Sequence, residues 1–405
     1  MKDELIQPSE VLLRSLIASR IAESPERRIT FAQYMEWVLY EPQHGYYATN
    51  AVNIGAEGDF FTSPHLGADF GELLAEQFAE MWDILGNPVP FTLVEMGAGA
   101  GILAADILRY LQQHYREIFE VLEYVIVEIA PGLISQQQQV LQNMLGKTAA
   151  LVRWCSLEEI PKNSIVGCFF SNELVDALPV HQFAIEEEQI REIYVTSRDG
   201  VTFEEVTGVP STPKLAEYFD LVGIELPSSV YADGYRSEIN LAAYNWLSTV
   251  AAKLRRGYLL TIDYGYPATR YYSLGRRQGT LQCYYRHMHH DNPYINIGQQ
   301  DITAHVNFTA LERWGDRLQL PKLGFTQQGL FLMALGLGDR IAALSTGGEN
   351  IIKSQGISGL LRCRDTLHQL IDPMGLGNFG VLVQTKGLRE EERGRSLKGL
   401  KMPLM

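Results

Sequence analysis

The sequence predicts an α/β protein built on a doubly wound, mainly parallel sheet, and three observations carry that prediction. The run Phe91-Thr92-Leu93-Val94-Glu95-Met96-Gly97-Ala98-Gly99-Ala100-Gly101 is a short apolar strand that ends in an acid and a glycine loop. Ile102, Leu103, Ile107 and Leu108 follow at helical spacing, completing a strand–loop–helix unit of the kind that binds nucleotide-like cofactors. Strand and helix patterns then alternate through residue 170. The last strand of that series, 165–170, is an unbroken apolar run, as a strand covered on both faces should be.

Each element has its own signal. Val11, Leu12, Leu16 and Ile17 predict a helix over residues 9–23, and Thr30 is placed to cap a second helix reaching Leu39. A third helix is expected over 66–85, ended by Gly86-Asn87-Pro88. Strand 91–95 leads to helix 101–115, strand 124–128 to helix 131–145, and strand 151–154 precedes strand 165–170. The alternating stretches 181–185 and 189–196 flank Glu186-Glu187-Glu188 and read as a β-hairpin. A long helix is expected over 237–254, then a strand over 258–263. The polar, Tyr- and His-rich segment 265–301 is too long for a plain connection and is expected to form a lid or substrate wall. Helix 308–318, strand 326–328, two more helices and strand 380–385 close the fold. The domain reading is a helical cap and cofactor lid over 1–90, a core over 91–386 interrupted by an insertion at about 180–235, and a flexible tail over 387–405.

Composition narrows the partners. A net charge of −14 argues against nucleic acid, because phosphate binding needs clustered Lys and Arg. The four cysteines, Cys155, Cys168, Cys283 and Cys363, form no C-x-x-C pair, which excludes a disulfide framework and a zinc site from the expectations. The segment from 287 to 291 holds three histidines and Asp291 but no second ligand cluster, so no metal is expected. No signal peptide, transit peptide or membrane-spanning run is apparent. The expectations are therefore a cytoplasmic location and no membrane insertion, with self-association into a homodimer left open.

The cofactor class follows from glycine spacing. Dinucleotide enzymes favour G-x-G-x-x-G, where a helix N-terminus holds a pyrophosphate. Here the pattern is E-x-G-x-G-x-G, formed by Glu95, Gly97, Gly99 and Gly101, and it resembles motif I of class I S-adenosylmethionine-dependent methyltransferases. S-adenosyl-L-methionine has no phosphate; it needs close backbone approach and carboxylates near a cation. Glu128 ends the second strand, where an acid can accept both ribose hydroxyl hydrogens. Trp154 and Cys155 end the third strand, where an adenine ring could lie.

The acceptor end is Ser171-Asn172-Glu173-Leu174-Val175-Asp176-Ala177-Leu178-Pro179, which emerges from the buried fourth strand toward the ligand crevice. This segment belongs with others: Phe31-Ala32-Gln33-Tyr34-Met35, Leu39-Tyr40-Glu41-Pro42-Gln43-His44-Gly45-Tyr46-Tyr47, Gly58-Asp59-Phe60-Phe61-Thr62-Ser63-Pro64, Ile262-Asp263-Tyr264-Gly265, Gly279-Thr280-Leu281, and Asp301-Ile302-Thr303-Ala304-His305-Val306-Asn307-Phe308. Together they resemble the MidA-like methyltransferase family over about residues 8–386. The resemblance implies a class I methyltransferase (Rossmann-like) fold: a seven-stranded, mostly parallel sheet with an N-terminal helical cap and an inserted α+β subdomain. The family's mitochondrial members are protein arginine methyltransferases needed for assembly of respiratory complex I. A protein substrate, to be sought among respiratory subunits, is thus the implied partner. The chain departs from the family's Gly-Pro-Gly-Arg-Gly loop by having alanine at 98 and 100, and has Asn307 where the family usually has Asp.

Methyl transfer to an arginine needs a grip on a planar cation, which a carboxylate supplies with a two-pronged hydrogen bond. By position, Glu173 is the first candidate for that clamp and Asp176 the second, with Asn172 beside them. His305 is a candidate proton acceptor. The resemblance places the 58–64 loop over the cofactor, with Asp59 toward its cationic end and Thr62 and Ser63 as hydrogen-bonding groups. A structural reading of the same loop is a helix start, capped by Thr62 or Ser63 with Pro64 at the first helical position.

Overall fold

The computed structural model describes residues 8–48, 62–286, 288–347 and 349–402. Seven strands form the central sheet: β1 (Phe91–Met96), β2 (Leu122–Val127), β3 (Val152–Cys155), β4 (Ile165–Asn172), β5 (Leu254–Asp263), β6 (Lys322–Gln327) and β7 (Gly380–Lys386). Their order across the sheet is β6-β7-β5-β4-β1-β2-β3. Strands β1 to β5 run parallel, and β7 is antiparallel to both of its neighbours. The expected α/β class and mostly parallel sheet are present.

The chain turns outward from β1 toward β3 and then returns to β4 on the other side of β1. That reversal opens a crevice at the carboxyl ends of β1 and β4. All six residues of β1 and the first seven of β4 are buried, which accounts for their unbroken apolar character. Two glycines let the central strands approach. A Cβ on Gly167 would lie 2.0 Å from the Thr92 carbonyl oxygen, and one on Gly257 would lie 1.9 Å from that of Gly167.

Helices α1 (Pro8–Glu23), α2 (Phe31–Tyr40), α3 (Asp69–Ile84), α4 (Ile102–His114), α5 (Pro131–Leu145) and α6 (Leu241–Lys253) cover the sheet or flank it. Thr30 caps α2 as expected, in a capping box with Gln33. The helix expected over 66–85 is divided: a four-residue turn, Ser63–Leu66, ends at Gly67, and α3 begins at Asp69. One sheet face packs on α3 and α4 through Phe70, Phe78, Leu103 and Ile107. The other packs on α6 through Leu247 and Val250.

The insertion forms a second sheet. Strands His181–Glu186 and Gln189–Thr196 make the expected hairpin, and the left-handed backbone of Glu187 and Glu188 gives the turn its primed geometry. Two outcomes differ from the sequence reading. The start of the helix expected over 237–254 is a strand, Arg236–Ile239, paired with His181–Glu186; Asn240 then caps α6 by accepting from the Ala243 N–H. In addition, Arg28–Thr30 from the N-terminal segment pairs with Gln189–Thr196, so the cap and insertion share one sheet. Within 265–301, Gln282–Tyr285 pairs with Met288–His290 and with Asp301–Thr303 in a three-stranded sheet beside the crevice. No described helix is long and apolar enough to cross a membrane.

The segment from 387 onward, expected to be a flexible tail, is instead docked as far as Leu400. Leu388 and Leu397 are buried, Arg395 pairs with Asp83 at 2.6 Å, and the Gly399 N–H donates to Gln77 Oε1 at 3.0 Å. Its charge and glycine content concealed two apolar anchors. Leu397→Ala is expected to destabilise the protein by about 2–5 kcal/mol, the usual cost of a buried leucine truncation, read by chemical denaturation; an unchanged midpoint would contradict the docked tail.

Candidate active site

The crevice widens into a cavity of about 500 Å³ lined by the glycine loop, the ends of β1, β2 and β4, and the segment after α2. Gly97, Gly99 and Gly101 all have left-handed backbones, with φ of 76°, 52° and 82°. Gly101 caps α4, whereas Gly97 and Gly99 line the cavity. A Cβ on Gly97 would meet Leu174 Cδ1 at 3.0 Å. Glu95 is buried and accepts a 2.6 Å hydrogen bond from the Tyr124 hydroxyl; burial pushes its carboxyl up to about 7. Glu128 lines the cavity, and its Oε1 accepts from the N–H groups of Ile129 and Ala130, fixing the carboxylate at the β2 end.

Trp154 and Cys155 are placed differently from the expectation, since neither lines the cavity. Trp154 Nε1 donates to Gln137 Oε1, and Gln137 Nε2 donates to the Gly99 carbonyl, both at 2.9 Å. The indole thus braces the glycine loop through Gln137. Cys155 is buried in the core, and Leu157 and Glu158, just beyond β3, line the cavity instead. A wall residue two positions past a strand leaves no periodicity signal.

Of the 58–64 loop, Asp59 lies outside the described residues. Thr62 lines the cavity and precedes the turn, with its hydroxyl 2.8 Å from His65 Nδ1. The Ser63 hydroxyl is buried against Gln328 rather than turned to the cavity, and what Ser63 offers the site is its backbone N–H, donated to the Glu173 carboxylate.

Glu173 has a left-handed backbone, φ 53°, an uncommon state for a non-glycine residue that costs about 1–2 kcal/mol. Its N–H donates to the Ile262 carbonyl at 2.9 Å, and Asn172 Nδ2 donates to its Oε1 at 3.0 Å. Burial, with the nearby Asp176 charge second, pushes the Glu173 carboxyl up to about 8. Asp176 lines the cavity with a buried Oδ1 that has no hydrogen-bond partner among the described residues. Burial raises its carboxyl to about 6 against the opposing Tyr264 hydroxyl. Behind them Asp263, at the end of β5, is fully buried. It accepts from the N–H groups of Val175, Asp176 and Tyr264 at 2.9, 3.3 and 2.9 Å. Burial and the charges of Asp176 and Glu173 raise its carboxyl well above the usual range.

Three further lining residues were not assigned from sequence. Tyr47 donates its hydroxyl to the Asp301 carboxylate at 2.8 Å, Tyr40 stacks on Tyr47 at 5.3 Å, and all three line the cavity. Their signal was present in the quoted motifs, as was that of Asp263, a third strand-end acid after Glu95 and Glu128. His305 does not line the cavity, contrary to the proton-acceptor expectation. Its ring stacks on Tyr266 at 5.1 Å, and burial, aided by Arg276, lowers its pKa to about 4, so it is neutral at ordinary pH. No group of His, Cys, Asp and Glu among the described residues is arranged to hold a metal.

The profile of a family described as S-adenosyl-L-methionine-dependent methyltransferase matches residues 73–326. The chain belongs to that family. This methyltransferase is 31% identical over 349 residues to the mitochondrial protein arginine methyltransferase NDUFAF7 homolog of Drosophila melanogaster, covering 80% of the chain and 74% of the relative. The human NDUFAF7 protein arginine methyltransferase, also mitochondrial, is 28% identical, with 96% and 88% covered. A crystal structure from Burkholderia thailandensis bound to S-adenosyl-homocysteine superposes with a TM-score of 0.82 at 30% identity, covering 96% and 95%. The cytoplasmic location expected from the sequence is overturned by the relatives, whose names place them in mitochondria.

The cavity suits S-adenosyl-L-methionine, the family's cofactor, and the solved relative holds its demethylated product. A Cβ on Gly97 would crowd Leu174, Gly99 lines the cavity beside it, and Glu128 lines it at the end of β2 with its Oε1 held by two backbone N–H groups. Gly97→Ala, which adds both a clash and backbone strain of about 1–2 kcal/mol, is expected to weaken S-adenosyl-homocysteine binding at least tenfold by calorimetry; unchanged affinity would remove Gly97 from the site.

The raised carboxyls also fix a pH dependence. In the unfolded chain a glutamic acid titrates near about 4.3. Between there and about pH 8 the folded protein holds a proton on Glu173 that the unfolded chain has lost, so stability falls as pH rises through that window. Glu173→Gln, isosteric and uncharged, is expected to flatten the decline in Tm of the ligand-free protein from about pH 5 to about pH 8. An identical slope in the variant would reject a raised Glu173.

Proposed function

We propose that this methyltransferase transfers a methyl group to the guanidinium of an arginine side chain in a protein substrate. The observation that carries the reading is the position of the half-buried Glu173 and the buried Asp176 at the wall of the cofactor cavity, which Tyr40, Tyr47 and Asp301 also line. A planar cation satisfies such a set better than any neutral acceptor, because it repays the cost of burying the negative charges. The curated relatives that carry the name protein arginine methyltransferase support the same acceptor.

S-adenosyl-L-methionine supplies an electrophilic sulfonium methyl; the chain's own groups hold and orient the nucleophile. Glu173, fixed by Asn172 Nδ2 and the Ser63 N–H, accepts two N–H bonds from the guanidinium and leaves its third nitrogen directed at the methyl. As the nitrogen–carbon bond forms and the sulfur–carbon bond breaks, the attacked nitrogen loses one proton. Asp176 is the acceptor for that proton: its unpartnered Oδ1 is at the cavity wall, and it is held near about 6. The tyrosine wall excludes water from the transfer path. The substrate itself, a subunit of a respiratory NADH-linked complex, is the finer part of the proposal and rests on the motif resemblance alone.

The experiment is transfer of labelled methyl from S-adenosyl-L-methionine into a mitochondrial or bacterial lysate, followed by hydrolysis of the labelled protein. Methylarginine is the expected labelled residue. Glu173→Gln is expected to lower the rate at least about a hundredfold while S-adenosyl-homocysteine binding stays within a few-fold. Label on any other residue, or full activity of Glu173→Gln, would overturn the reading. The sequence of the labelled protein tests the respiratory assignment separately.

A further inference from the structure

At the opposite end of the sheet the charge inverts. A concavity of about 760 Å³ runs along the amino ends of the parallel strands, and Arg153, Arg255, Arg256 and Arg389 line it against one acid, Glu123. In a chain where 48 acids outnumber 34 bases, four guanidiniums converging on one groove is a local reversal that like-charge repulsion disfavours. Two of them are engaged: Arg256 pairs with Glu392 at 2.6 Å and donates to the Leu85 carbonyl, and Arg389 lies beside Glu391 and Glu392. Arg153 and Arg255 are exposed and make no ion pair among the described residues.

Their separation identifies the partner. Arg153 lies on β3 and Arg255 on β5, four strand spacings apart in the sheet, which is about 19 Å across. Between them the groove mixes apolar side chains, among them Pro90, Pro161 and Ile165, with the polar Thr92, Glu123 and Ser164, and Val89, which also lines it, is 75% exposed. We propose that this groove docks an extended acidic peptide segment of a protein partner, with carboxylates at both ends and apolar residues between. About six residues of extended chain span the distance at roughly 3.3 Å each. A nucleic acid fits less well: its evenly spaced phosphates would run over Glu123, and the protein's net charge of −14 repels a long polyanion. This docking is independent of the methyl-transfer reading, because the groove is at the other end of the sheet from the cofactor cavity.

The test is fluorescence anisotropy of the full chain with a labelled probe of about eight residues, long enough in extended form at roughly 3.3 Å per residue to reach both arginines, carrying Asp-Glu at each end and Val, Leu and Ala between. Saturable binding that weakens with salt is expected, with Arg153→Glu and Arg255→Glu each reducing affinity at least tenfold. A probe with all four acids at one end is expected to bind more weakly than the two-ended probe. Both variants should bind S-adenosyl-homocysteine like the parent, which separates lost docking from lost folding. Equal affinity in the double variant, no saturable binding, or a single-stranded oligonucleotide that displaces the probe at lower concentration than unlabelled peptide would each overturn the proposal.

Discussion

The acceptor end of the cavity depends on the carboxylate of Asp263. Fully buried at the end of β5, it gathers the N–H groups of Val175, Asp176 and Tyr264 and thereby ties the loop after β4 to the neighbouring strand. The tie continues outward. The Ala304 N–H donates to the Asp176 carbonyl, the Val306 N–H to the Tyr264 carbonyl, and the Tyr264 hydroxyl to Thr303. Glu173, Asp176 and the strand carrying Asp301 are all positioned through that one carboxylate. A hydroxyl or amide there could not accept three backbone N–H groups from these directions.

This arrangement is costly without a cation. The Asp176 charge raises the proton affinity of Glu173, both raise that of Asp263, and Glu173 adds a left-handed backbone that its hydrogen bond to the Ile262 carbonyl holds in place. Strain and unpaired buried charge concentrate where proteins do chemistry, because surrounding structure must hold an unfavourable geometry ready. A guanidinium, the proposed acceptor, would offset the electrostatic part when bound. The Tyr47 hydroxyl follows the same logic: it donates to the Asp301 carboxylate without bringing a competing positive charge.

The two ends of the parallel sheet therefore present opposite chemistry. At the carboxyl ends, acids close the cofactor cavity; at the amino ends, arginines line an open groove. The glycine loop belongs wholly to the first. Its conformation is set by three left-handed glycines, and its position by a relay from Trp154 through Gln137 to the Gly99 carbonyl. Loop shape is thus local, whereas loop placement draws on α5 and β3.

Sequence by itself determined the fold class, the glycine loop and the acids that end strands, because these depend on local rules. Apolar runs mark buried strands, alternate glycines mark left-handed turns, and an acid at the end of a buried strand is placed at the crevice end of the sheet. It also marked Asn172, Glu173 and Asp176 as polar residues leaving a buried strand. Only the tertiary structure decided which side chains meet. Trp154 and Ser63 turn away from the cavity, His305 is sequestered by Tyr266, and Tyr40, Tyr47 and Asp301 converge from segments more than 250 residues apart at the Tyr47–Asp301 bond. Strand Arg236–Ile239 exists because a partner strand overrode a helical pattern, and the C-terminal segment is ordered because a pocket receives Leu397. Such pairings are non-local: their free energy comes from contacts that no window of sequence contains.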